Sequence, residues 1–114
     1  MSKTNKDVQA KIEKLQLLEQ KTQTLLAQKQ NFQSQLLEIE NATNELEISD
    51  GQIYKIVGNI MISAEKNKLK EDLNNKKDIL LLRMKNIEKQ ENKLREEASQ
   101  VQSEIMSNIK KEGK

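Results

Sequence analysis

The side chains best suited to chemistry in this chain are carboxylates, Glu96 beside Glu97 and Glu88 three residues before Glu91. Two carboxylates within reach of each other can do general acid–base work or share a divalent cation, provided a pocket holds them and moves a pKa. Neither pair has that setting. Both fall in stretches of mixed charge that read as exposed helix, so they are expected to be solvated, with some i to i+4 pairing such as Glu91 to Arg95. The chain has no His and no Cys, which removes an imidazole base, a thiolate nucleophile, a soft metal site and a disulfide framework. Its three glycines, Gly51, Gly58 and Gly113, cannot make a phosphate-cradling loop or a dinucleotide-binding turn. Enzymatic activity is not expected, nor is a cofactor or a metal.

Charge points to no anionic partner. The net charge of +2 arises from 20 basic and 18 acidic residues whose signs alternate along the chain, so neither nucleic acid nor a membrane surface is nominated as a partner. The densest basic spot, Lys66, Lys68 and Lys70, sits beside Glu65, Glu71 and Asp72 and reads as a solvated helix start, with phosphate binding as the competing reading. The longest apolar run, Ile79 to Leu82, is far short of the roughly 20 residues that span a bilayer. The opening Met-Ser-Lys-Thr-Asn-Lys-Asp has no apolar signal core. A soluble, cytoplasmic protein is the expectation, and in that setting Asn41-Ala42-Thr43 is a chance match to a glycosylation acceptor.

The elements that carry these residues follow from composition and spacing. Of 114 residues, 33% are charged and the only aromatics are Phe32 and Tyr54, too little to fill a wide globular core. Leu, Ile, Val and Phe nevertheless number 29, above the roughly 20% typical of disordered chains, so the apolar residues must lie in stripes. From Asp7 to Glu47 there is no Gly or Pro. A heptad seam runs Val8, Lys11, Leu15, Leu18, Thr22, Leu25, Lys29, Phe32, Leu36, Ile39, Thr43, Leu46, with 8 of 12 positions apolar. From Lys66 to Lys111 a second seam runs Lys70, Leu73, Lys77, Leu80, Met84, Ile87, Glu91, Leu94, Ala98, Val101, Ile105, Asn108, again 8 of 12. Sustained 3-4 spacing predicts coiled-coil helices over about 6–47 and 66–111, nearly matched in length and suited to antiparallel pairing within one domain. A register that sets Leu15 against Val101, Leu18 against Ala98 and Leu36 against Leu80 never places two polar seam residues face to face. Lys29 and Glu91 then fall in adjacent layers and are expected to pair across the helices.

Residues 48–65 change character. Asp50-Gly51 signals a turn, and β-branched residues then dominate two runs, Ile53-Tyr54-Lys55-Ile56-Val57 and Ile60-Met61-Ile62-Ser63, flanking Gly58-Asn59. This is the pattern of a β-hairpin with a tight two-residue turn. Pairing Val57 with Ile60 and Lys55 with Ile62 puts Ile53, Val57, Ile60 and Ile62 on one face and Tyr54, Ile56 and Met61 on the other. A lone hairpin is marginal in water and has two open edges, so one with both faces apolar predicts cover by further strands from other subunits. The competing reading packs it across its own two helices.

The stretch Tyr54-Lys55-Ile56-Val57-Gly58-Asn59-Ile60-Met61-Ile62, followed by Leu80-Leu81-Leu82-Arg83-Met84-Lys85-Asn86-Ile87-Glu88-Lys89-Gln90-Glu91, resembles the archaeal-type prefoldin beta subunits, over about residues 14–106. The resemblance implies a mostly α fold: two long helices in an antiparallel coiled coil, joined by a β-hairpin that contributes to an oligomeric β-barrel. It implies a hexamer of two prefoldin alpha and four beta subunits. It further implies an ATP-independent chaperone that holds unfolded client proteins at its coiled-coil tips and delivers them to a group II chaperonin. The hairpin residues Ile53, Tyr54, Ile56, Val57, Gly58, Ile60, Met61 and Ile62 would then mediate oligomerisation. Near the chain ends, Val8, Ile12, Leu15, Val101, Ile105, Met106 and Ile109 are more apolar residues than one seam can bury, with Ile12, Met106 and Ile109 off it. They are the candidate client-binding residues. The bland alternative is that fraying helix ends carry scattered apolar residues, or that these residues pack on each other. Ile79, Leu81 and Leu82 flank the seam residue Leu80, making that turn apolar nearly all round. They are expected to contact the hairpin or a neighbouring subunit, unless packing within the protomer covers them. A different class of function remains open at this level, a structural coiled-coil spacer or tether that binds one defined partner.

Overall fold

The computed structural model describes residues 2–112. Helix α1 spans Ser2–Ile48, strand β1 Ile53–Val57, strand β2 Ile60–Ala64 and helix α2 Lys66–Glu112. The helices extend slightly past the expected bounds, by four residues at the start of α1 and one at the end of each, because no Gly or Pro interrupts those turns. No described helix is long and apolar enough to cross a membrane.

The heptad seams are the buried stripes. On α1, every seam position except Thr22 is at least half-buried; on α2, every one except Lys77 is. Among the described residues, the buried hydrophobic side chains are all Leu, Ile or Val on these seams: Leu18, Leu25, Leu46, Leu80, Ile87, Val101 and Ile105. The two polar α1 seam residues that lack charge deal with their hydroxyls locally. Thr22 Oγ1 donates to the Leu18 carbonyl at 2.9 Å and Thr43 Oγ1 to the Ile39 carbonyl at 2.8 Å, so neither needs a partner across the seam.

The chain divides into two compact units. The described residues up to 29 and from 86 onward form one, with a core of Leu18, Val101 and Ile105 against which Val8, Leu15, Leu94 and Ala98 pack. Leu15, Leu18, Ala98 and Val101, which the expected register sets in facing layers, all belong to this cluster. Residues 30–85 form the other, in which Leu46 and Leu80 are buried and the hairpin joins the helices.

Burial this sparse makes single layers count. Leu18→Ala is expected to destabilise the chain by about 2–4 kcal/mol, whereas Leu17→Ala, at an exposed neighbouring position, should change stability by no more than about 0.5 kcal/mol. Urea unfolding followed by helical circular dichroism at one protein concentration checks the contrast.

Candidate functional site

The hairpin pairs antiparallel in the register Ile53 with Ala64, Tyr54 with Ser63, Lys55 with Ile62, Ile56 with Met61 and Val57 with Ile60. Both expected pairings are present, and β2 runs one residue further than expected, to Ala64. Gly58 has φ 62° and, among the described residues, no non-glycine residue has a positive φ, the arrangement of a type II′ turn with glycine in its first central position. A side chain there would be strained even though nothing lies within 4 Å. At the opposite end of the hairpin, Gln52 Nε2 donates to Ser63 Oγ.

This register sends the two sets of apolar side chains to the two expected faces. Only Ile53 and Ala64, where the hairpin meets the helices, are half-buried. Tyr54, Ile56, Val57, Ile60, Met61 and Ile62 are all exposed, Ile56 to 72%. The protomer's own helices therefore leave the hairpin uncovered. Contiguous apolar surface of this kind on β-branched strands with unpaired edges is a template for further strands.

In the same unit, Leu80 turns into the seam while Ile79, Leu81 and Leu82 are left exposed at 52%, 47% and 62%, so packing within the protomer does not cover them. Leu37 and Ile48 of α1 are exposed as well. Sequence reasoning did not single those two out, although their off-seam heptad positions were the available signal.

Near the chain ends, the seven candidate residues separate into two groups. Val101 and Ile105 are buried and Val8 and Leu15 half-buried, so these four build the seam. Ile12, Met106 and Ile109 are exposed at 41%, 58% and 50%, leaving them the apolar surface available to a second molecule. Leu17 and Leu26 add exposed apolar surface in the same unit. Leu17 borders an open groove with Thr24, Leu25, Gln90 and Leu94.

Charged residues hold the helices of that unit together at two points. Lys29 Nζ lies 3.3 Å from Glu91 Oε1, with only 25% and 15% of the side chains exposed, as expected for two charges on facing seams. Lys11 pairs with Glu104 at 3.5 Å nearer the ends. Glu91 turns inward to Lys29, and Arg95 Nη1 instead donates to Asn92 Oδ1 at 3.1 Å. The expected helical pair is thus replaced by a cross-seam one. Among the described residues, no three acidic side chains are grouped to hold a metal ion.

Comparison with known proteins gives consistent matches over nearly the whole chain. The family model described as "Prefoldin subunit" matches residues 9–112. The prefoldin subunit beta of Saccharolobus islandicus (strain L.S.2.15 / Lassen #1) is 35% identical over 107 residues, covering 92% of this chain and 85% of the relative. That of Sulfolobus acidocaldarius is 33% identical, covering 92% and 86%. The crystal structure of the prefoldin beta subunit from Thermococcus strain KS-1 superimposes with a TM-score of 0.83 at 33% identity, covering 89% of this chain and 90% of that one.

The largely buried Lys29–Glu91 pair makes a prediction of its own. Lys29→Leu or Glu91→Leu alone strands the other charge and is expected to lower stability by about 1–3 kcal/mol. The double substitution should return it to the parent level or above, since well-packed apolar residues avoid the cost of desolvating two charges. Denaturant midpoints of the four chains check this.

Proposed function

The chain belongs to the prefoldin family, and from that premise we propose that it is the beta-type subunit of an ATP-independent chaperone that holds non-native proteins. The observation that carries the proposal is the uncovered hairpin. Six apolar side chains on two faces of one two-stranded sheet are exposed in the protomer, and burying them in a multi-subunit strand platform removes that surface from water at about 25 cal/mol per Å². Alpha-type subunits of the same family are the partners that would complete the platform, in a hexamer of two alpha and four beta chains.

Client holding is assigned to the exposed apolar residues of the helix ends, Ile12, Met106 and Ile109. The helix surfaces around them are highly charged, which keeps such an apolar patch soluble. Met106 adds an unbranched, polarisable side chain that adapts to differently shaped clients. Weak, unselective apolar contact suits a holder that must also let go. Delivery of the client to a group II chaperonin follows from the same family role, as does a cytoplasmic location.

Two experiments test the two surfaces separately. Replacing Ile12, Met106 and Ile109 together by Ser is expected to abolish most suppression of aggregation of a heat-denatured test protein while the hexamer formed with an alpha subunit keeps its size. Undiminished suppression would refute the tip assignment, and protection of a single defined partner only would favour a tether. Ile56→Asp places a charge in the strand platform and is expected to prevent hexamer formation in sedimentation while helical circular dichroism is retained.

A further inference from the structure

The hairpin is attached unequally to its two helices. Only Glu65 separates β2 from α2, and its carbonyl already accepts the Leu69 amide at 3.0 Å, so the strand passes into the helix with almost no slack. On the other side, the four residues from Ser49 to Gln52 separate α1 from β1, among them Gly51, which has nothing within 4 Å of the place a side chain would occupy. Glycine in open space is the loosest joint a chain can have. Left alone, this joint would let α1 swing against the hairpin.

One side chain bridges it. Lys66 Nζ donates to the Ser49 carbonyl at 3.1 Å and, at 3.4 Å, to the Glu47 carbonyl. Ser49 Oγ donates to the Glu45 carbonyl at 2.9 Å, but helix α1 has no basic residue in its own last turn, so a cation for its negative dipole end and its remaining carbonyls must come from elsewhere. Lys66 is the first residue of α2, where its charge opposes the dipole of its own helix. Its position is favourable only with respect to α1. Lys70, one turn on, adds a longer contact of 4.0 Å to the Glu47 carboxylate.

We infer that Lys66 is a positioning residue for assembly: by tying the end of α1 to the start of α2 it sets the direction in which the hairpin is presented to neighbouring subunits. This rests on the hairpin being the assembly surface. Because the chain contains no Cys, the ammonium can be removed and restored at this one position. Lys66→Cys should speed amide exchange in residues 49–53 by about tenfold, leave the urea midpoint of the helices nearly unchanged, and weaken hexamer formation with an alpha subunit by about tenfold or more. Aminoethylation of the thiol, which restores an ammonium at nearly the lysine position, should reverse both effects, whereas carbamidomethylation should reverse neither. Unchanged exchange, unchanged assembly, or equal recovery with the uncharged adduct would each overturn the inference. Ile56→Asp, run alongside, separates the two ideas: if it too assembles normally, the hairpin is not the assembly surface.

Discussion

Two helices lying side by side can exclude water only along the single stripe where they touch, and nearly everything else about this chain answers to how little that stripe buries. No large side chain among those described is completely buried, and the seven that come close are all Leu, Ile or Val at heptad positions. With so thin a core, a polar residue on the seam cannot be absorbed by bulk. Thr22 and Thr43 return their hydroxyls to their own helix, and Lys29 and Glu91 find each other. A buried ion pair of this kind contributes little net stability because desolvation offsets its attraction. Its effect is to penalise arrangements in which either charge faces an apolar residue alone.

The same scarcity explains why apolar residues lie in the open elsewhere. A hairpin of ten paired residues has no interior, so side chains from both faces must look outward unless something is laid on them. Here the sequence makes both faces apolar, and the helices that flank the hairpin spend their own apolar surface on their mutual seam. Ile79, Leu81 and Leu82 follow the same logic around Leu80, since a helix surrounded by apolar residues has only one side to give to its partner. The lone chain therefore leaves apolar surface on both faces of its hairpin uncovered. Its apolar exposure near the chain ends has a different character. Ile12, Met106 and Ile109 lie on helix rather than strand, without unpaired backbone edges, and can offer side-chain contact but no template for ordered pairing.

Much of this was legible in the residues themselves. Period decides secondary structure: 3-4 spacing without Gly or Pro specifies two helices, and β-branched runs on either side of Gly58-Asn59 specify a hairpin whose register the two-residue turn fixes. The Lys29–Glu91 contact was also accessible, since two opposite charges on facing seams in adjacent layers have no better partners. What the tertiary structure alone decided was which apolar residues remain available. Ile79, Leu81 and Leu82 lie off the seam, and nothing in their spacing says whether the chain's own packing covers them; all three are exposed, because accessibility depends on what the facing elements supply and not on hydrophobicity. The Lys66 bridge was equally hidden. A lysine at the head of one helix reads as solvated charge until the fold brings the carbonyl end of another helix within 3.1 Å of it, and proximity across 17 residues of chain is a property of the folded path that no local pattern contains.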